Sequence, residues 1–236
     1  GIRIHQTDFA LFKDNVIYDT FGYAIGTEDG NENGNILDHN YAANVDGSGK
    51  RPEGSDRFNG ISFFSENPMI SMRNNVGAGG ARRSYFGIVM PGGTGIQTFW
   101  NRDGTTRQQN RQNSTLTEFN NNEDYGANIG LDLWRIFSPL GTSYIANYRS
   151  WNNQGGLFII YPIWNVIFVN YTGRCSHLSG WQGLGFYSWD YLQSNVIIDN
   201  ADIRGCDLGL DPGVVMKDPF TVKNSYFANN TKAIGF

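Results

Sequence analysis

Ionisable side chains are densest in the segment Thr27-Glu28-Asp29-Gly30-Asn31-Glu32, and Asp38 and His39 follow after the next short polar corner. Glu28, Asp29, Glu32 and His39 are residue types that general acid and base catalysis uses, and glycoside hydrolysis asks for two carboxylates about 5 to 9 Å apart. If the four converge on one edge of the fold, the same oxygens would suit Ca²⁺. The structural alternative is that Asp29-Gly30 makes a turn, Glu28 and Glu32 pair with cations or face water, and His39 fills a corner position. Spacing alone assigns no metal site.

A second cluster is cationic. Residues 1–72 carry 5 Lys and Arg against 11 Asp and Glu, residues 73–111 carry 6 Arg against 1 Asp, and residues 112–236 carry 7 against 10. Arg73, Arg82, Arg83, Arg102, Arg107 and Arg111, with Trp100 among them, would offer an anionic sugar guanidinium groups beside an aromatic platform. The competing readings are a solvated loop and a lid over an exposed flank. The formal net charge of −4 argues against a protein that holds nucleic acid by its overall field. His5, His39 and His177 are scattered, and no Ser-His-Asp, Cys-His, HExxH or phosphate-loop pattern can be assembled, so nucleotide and redox cofactors have no support.

Cys175 and Cys206 lack the spacing of a CxxC redox or zinc motif and are compatible with one disulfide. Asn-x-Thr sequons begin at Asn113, Asn170 and Asn229. Asn113 and Asn229 are expected glycan acceptors, Asn113 because it lies in a polar loop. Asn170 is discounted for a reason that comes from the fold.

The elements that position these groups are read from internal repeats. Gly (30) and Asn (27) interrupt the chain too often for long helical stripes, and short alternating runs stop at Asn or Gly. An apolar-x-polar pattern recurs at Phe12-Lys13-Asp14, Leu37-Asp38-His39, Met72-Arg73-Asn74, Ile145-Ala146-Asn147, Phe168-Val169-Asn170, Ile198-Asp199-Asn200 and Val222-Lys223-Asn224. A second apolar run follows each, giving two expected strands per repeat of roughly 23 to 30 residues. Such coils bury their apolar faces only by stacking, and the architecture this period supports is all-β, a right-handed parallel β-helix forming one domain over 1–236. Asn at a tight corner tolerates left-handed geometry and both donates and accepts hydrogen bonds, so successive coils build an amide ladder. Asn170 would belong to that ladder and be unavailable to a glycan.

The interval 94–141 breaks the period and is Gln, Asn, Arg and Thr rich at its start, which predicts an inserted loop. Trp151, Trp164, Trp181 and Trp189 fall in later coils; Trp164 is expected in the core, and outward tryptophans would stack sugar rings. The longest apolar stretch, Leu157 to Val169, is interrupted by Pro162 and Asn165 and is too short for a spanning helix; it reads as two buried strands. The chain opens at Gly1 as a mature chain or fragment would. It stops at Phe236 on a coil-like run without a polar cap, which leads to the expectation of a longer polypeptide, an end-on partner or a homo-oligomer.

The strings FALFKDNVIYDTFGYAIGTEDGNENGNILDHNYAANV (9–45) and FNGISFFSENPMISMRNNVGAGG (58–80) go further. Their elements KDNVxY, the Gly-aromatic pair, EDGxExxN, DHN and the NP, NN and Ala/Gly turn occur in order. The segment resembles the β-helix region of the family of cell-surface hyaluronidases, cell-migration-inducing hyaluronan-binding protein and fibrocystin. That resemblance implies an extracellular or cell-surface β-helix and, for some members, involvement with hyaluronan; it transfers no catalysis by itself. Two functions are therefore carried forward. One is a structural scaffold that binds a polysaccharide or another extracellular protein. The other is a polysaccharide-cleaving enzyme of the cell-surface hyaluronidase type.

Overall fold

Short strands end at residues in the left-handed conformation, and this sets the architecture. Asp14, His39, Asn74, Asn121, Asn147, Asn170, Asn200 and Asn224 all have φ between 53° and 58°. Asn and Asp reach this region at lower cost than most non-glycine residues, so each turns the chain at the same place in its coil. The structure is a computed structural model that describes residues 1–46, 60–79, 84–89, 96–126, 128–139, 141–153, 155–159, 162–175, 184–188, 193–213 and 218–235.

The strands form three parallel sheets. The first contains Ile2–Ile4, Tyr23–Thr27, Ile61–Ser65, Ser84–Val89, Ile129–Trp134, Gly155–Ile159, Leu184–Ser188, Leu208–Asp211 and Lys232–Ile234. The second contains Leu11–Lys13, Ile36–Asp38, Ser71–Arg73, Glu118–Asn120, Ser143–Ala146, Trp164–Val169, Ser194–Asp199 and Phe220–Lys223. The third contains Val16–Phe21, Tyr41–Asp46, Val76–Ala78, Glu123–Tyr125, Arg149–Asn153, Thr172–Cys175, Asp202–Arg204 and Tyr226–Ala228. The chain visits the three in turn and re-enters the first beside its previous strand, which makes a parallel β-helix. Each coil thus has three strands where sequence periodicity suggested two. The third-sheet strands escaped detection because several, such as Val76-Gly77-Ala78 and Asp202-Ile203-Arg204, are three residues long and offer too few apolar positions to alternate.

Register stacks like on like in the interior. Ile25, Phe63, Phe86 and Leu131 are successive partners in the first sheet. Leu37, Met72, Phe119, Ile145, Phe168 and Ile198 are successive partners in the second. All are buried, and full burial of such a side chain contributes about 1.5–3 kcal/mol. Phe63 and Phe86 stack with centroids 5.1 Å apart, and Phe119 meets Phe86 edge-on at 5.4 Å. Trp164 is half-buried against Phe137, with centroids 4.4 Å apart.

Two amide ladders run along the axis at the corner between the second and third sheets. The outer one uses the left-handed residues: Asn170 Nδ2 donates to Asn147 Oδ1, and Asn200 Nδ2 donates to Asn170 Oδ1, both at 2.8 Å. The inner one is one residue further on. Asn15, Asn40 and Asn75 each donate to the Oδ1 of the next, Asn40, Asn75 and Asn122, at 2.8, 2.9 and 3.1 Å. Asn40, Asn75 and Asn122 are buried, and each also donates to a backbone carbonyl, of Phe12, Leu37 and Met72 respectively. Cys175 and Cys206 form a disulfide between neighbouring third-sheet coils, with Cα atoms 4.9 Å apart.

The departure from the coil is narrower than 94–141. Ile96–Trp100 and Thr106–Asn110 pair as an antiparallel hairpin, whereas Glu118–Asn120, Glu123–Tyr125 and Ile129–Trp134 are regular strands of the three sheets. The polar run Asn120-Asn121-Asn122 that looked like loop is a pair of ladder positions with its flank. Asn74 and Asn121 are neighbouring rungs although 47 residues apart, because the hairpin is inserted between them.

Candidate functional site

Functional candidates concentrate at the corner where chain passes from the first sheet to the second. Ile4 and Thr27 are register partners, so His5 in one coil comes level with Glu28 in the next. His5 Nδ1 lies 2.9 Å from Asp29 Oδ2 and 3.4 Å from Glu28 Oε2, and Arg3 pairs with Glu28. Glu32 has a different role. Its Oε1 accepts from the backbone N–H groups of Glu28 (3.3 Å) and Asp29 (2.9 Å), its Oε2 accepts from Gly30 N–H (2.8 Å), and the residue is 1% exposed. Glu32 therefore closes the turn that holds Glu28 and Asp29 outward.

Glu28, Asp29 and Glu32 share this corner, but His39 does not. His39 occupies the outer ladder at the next corner, with Nδ1 2.6 Å from Asp14 Oδ1. Its separation of 25 residues from Asp14 is one coil, which puts it above Asp14 and away from the acidic turn. The histidine that does meet the carboxylates is His5. His5, Asp29 and Glu32 bring one donor atom each within 4.8 Å of one another. Both Glu32 oxygens are already engaged by backbone N–H groups, and an imidazole nitrogen in the set fits the all-oxygen preference of Ca²⁺ poorly, so this cluster is not a formed cation site.

Asp38 stands on the outward face of the second sheet. The Asn74 amide and then the Arg73 guanidinium hold its carboxyl below the usual range, and Asp38 in turn raises Arg73. Arg73 also reaches Glu118 at 3.3 Å.

The remaining arginines fasten the hairpin. Arg107 donates from Nε to Gln109 Oε1 (3.0 Å) and from Nη2 to Asn33 Oδ1 (3.3 Å), and it lies 5.5 Å over the Phe99 ring. Arg102 lies 5.0 Å over the Phe9 ring. Arg111 is buried beside Glu66, with Nη1 3.5 Å from Oε2. Asn33 Nδ2 and Gln97 Nε2 add bonds to Trp100 O and Asp29 O. Among the described residues, Arg73, Arg107 and Arg111 are thus matched by acceptors within the fold and Arg102 by a ring. Trp100 is 52% exposed at the hairpin end. Arg82 and Arg83 lie outside the described residues, as do His177, Trp181 and Trp189.

A cleft of about 670 Å³ opens between the hairpin and the outward face of the second sheet. Arg107 and Gln109 form one wall, Ser114 to Thr117 the corner, and Glu118 and Tyr144 much of the sheet side; Met69 and Leu116 supply apolar surface. Glu118 and Tyr144 follow from strand parity, since each is the outward neighbour of the inward Phe119 and Ile145. The mixture of one exposed aromatic ring with hydroxyl, amide and carboxylate groups can receive a polyhydroxylated ligand.

Two further groups were not evident from sequence. Inside the coils, Asp124 accepts from Tyr148 OH, from Asn153 Nδ2 and from Ser150 Oγ at 3.2 Å. Burial pushes the Asp124 carboxyl up to about 7 against the lowering pull of these donors. Burial likewise raises the Tyr148 and Tyr171 hydroxyls, with the Asp124 charge adding to it. On the outside of the third sheet, Trp151 Nε1 donates to Glu123 Oε1 at 2.7 Å and Arg174 lies 5.7 Å over the Trp151 ring. Inward Asp124 is flanked by outward Glu123 and Tyr125, a distinction that alternation shows only once the third strand is known.

Among the described residues no helix is long and apolar enough to cross a membrane. No solved structure matches the chain significantly. Fibrocystin-L of Mus musculus is 33% identical over 150 residues, which cover 60% of this chain and 3% of that protein. Fibrocystin-L of Homo sapiens is 32% identical over 174 residues, which cover 66% of this chain and 4% of that protein. The chain therefore spans only a few per cent of the length of these curated relatives. The family model of the CEMIP beta-helix matches residues 1–131, a segment that holds the acidic turn, the inner asparagine ladder and the hairpin. With stacked parallel coils on either side of the hairpin among the described residues of that segment, the chain belongs to the CEMIP beta-helix family.

Proposed function

We propose that this chain is an extracellular or cell-surface β-helix module that acts as a rigid scaffold and receives a polysaccharide in the cleft beside the hairpin without cleaving it. The cleft carries this reading: Tyr144 offers an exposed aromatic face, and Thr115 and Glu118 offer hydrogen-bonding groups beside it, while Gln109 and Ser114 bond each other within the wall. The disulfide supports an oxidising compartment. The internal bonding of Arg102, Arg107 and Arg111 favours recognition by rings and hydroxyl-directed bonds over a purely cationic surface. A glycan array followed by titration of the best ligand tests it. Binding that Tyr144→Ala weakens at least tenfold supports the reading. Capture of a protein only, or glycan binding unaffected by Tyr144→Ala and Glu118→Gln, overturns it.

One observation favours the enzymatic alternative, a glycan-cleaving site of the cell-surface hyaluronidase type. His5 meets Glu28 and Asp29 at one exposed corner, which supplies an acid, a base and a proton carrier within a few ångströms. Sizing hyaluronan and related uronic-acid polymers after incubation, with and without Ca²⁺, separates the two readings. Loss of cleavage in Asp29→Asn would assign it to this corner.

A further inference from the structure

The three sequons occupy different structural environments. Asn113 closes the short 3-10 turn Arg111–Asn113 and is exposed, as is Thr115 two residues on. Asn229 is exposed at the corner that leads back to the first sheet, with Thr231 also exposed. Neither asparagine side chain makes a hydrogen bond among the described residues. Asn170 is exposed too, but its amide is engaged on both sides: Nδ2 donates to Asn147 Oδ1 and Oδ1 accepts from Asn200 Nδ2, each at 2.8 Å.

We propose that Asn113 and Asn229 are modified with N-linked glycans and that Asn170 stays bare. The reaction joins the side-chain nitrogen to the anomeric carbon of an oligosaccharide carried on a polyprenyl pyrophosphate. The bond from that carbon to the pyrophosphate oxygen breaks, the electron pair leaves with the lipid pyrophosphate, and the amide gives up one proton to the transferase. No oxidation or reduction occurs. At Asn113 and Asn229 the product projects into solvent without displacing a bond. At Asn170 the substituted nitrogen keeps a single N–H, and the first sugar must fit beside rungs on coils that are about 4.8 Å apart. Chains modified there would lose ladder bonds, and the folded population would be depleted of them.

This inference is independent of what the cleft receives. It also places one glycan at the cleft rim, since Ser114 and Thr115 of the same sequon line that cleft.

The test is secretion of the full chain from a eukaryotic cell and site-resolved glycopeptide mass spectrometry. Enzymatic release in heavy-oxygen water should convert Asn113 and Asn229, and not Asn170, to labelled Asp. Asn113→Gln and Asn229→Gln should each remove one glycan from the intact mass, and Thr172→Ala, which deletes the Asn170 sequon without touching the ladder amides, should leave the mass of attached glycan unchanged. Occupancy at Asn170 in the folded, secreted chain, or a bare Asn113 or Asn229, overturns the proposal.

Discussion

The side-chain amide of Asn40 donates to Asn75 Oδ1 at 2.9 Å, while the backbone N–H of Asn40 donates to the same oxygen at 3.0 Å. Asn75 repeats both bonds toward Asn122. The Asn75 side chain thus satisfies the N–H of Asn40 and the carbonyl of Leu37 on the preceding coil and bonds the Asn122 amide on the next, all in the interior.

Replacing Asn75 with Ala takes the acceptor from the buried Asn40 N–H and removes one bond each from Asn40 Nδ2, the Leu37 carbonyl and Asn122 Oδ1. Each buried group left unsatisfied costs about 1–3 kcal/mol. Urea denaturation should therefore show a loss of about 3 kcal/mol for Asn75→Ala, and a loss below about 1 kcal/mol for Asn224→Ala on the exposed outer ladder.

Asp124 gives the fold a pH dependence of definite sign. Its folded pKa, about 7, lies above the ordinary 3.8, so between roughly pH 4 and 7 the folded chain keeps a proton that the unfolded chain has lost. The associated stability is complete below the unfolded value and is lost as pH rises through 7, at up to about 1.4 kcal/mol per pH unit. Thermal midpoints should fall from pH 5 to pH 8 in the native chain. In Asp124→Asn that part of the fall should be absent.

Gly30 sits at φ +78°, and a Cβ there would collide with Arg111 Nη1. Gly30→Ala should cost about 1–3 kcal/mol through backbone strain and displacement of the buried guanidinium from Glu66. Calorimetry would record this as a lower midpoint. Arg107→Ala should leave global stability within about 1 kcal/mol and accelerate amide exchange in Ile96–Asn110, because its bonds hold the hairpin and not the coils.

The disulfide closes a separation of 31 residues, for which chain entropy gives about 3–4 kcal/mol. A Cys175→Ala, Cys206→Ala double variant should unfold at correspondingly lower urea and with a steeper slope, because the unlinked denatured chain is more expanded.

The solenoid was legible because interior stacking repeats residue types at nearly fixed spacing, as Phe168 and Ile198 do 30 residues apart in the second sheet. The outer ladder was legible for the same reason. The inner ladder was hidden in plain pairs, Asp14-Asn15, His39-Asn40, Asn74-Asn75 and Asn121-Asn122, whose second members face inward. The acidic turn could be located from sequence, but its histidine could not. His39 is near in sequence and one corner away in space, whereas His5 reaches Asp29 by register between coils. The arginine-rich stretch looked like a free cationic surface because sequence does not show acceptors supplied by other coils, such as Asn33 for Arg107 and Glu66 for Arg111.

The most direct measurement is calorimetric titration of the chain with a series of defined oligosaccharides, neutral and uronic-acid containing, with the length of every ligand determined before and after. Saturable binding lost in Tyr144→Ala, with ligand lengths unchanged, is the predicted result. Shortened ligand that Asp29→Asn preserves intact, with no dependence on Tyr144, would contradict the scaffold reading and move the function to the His5 corner.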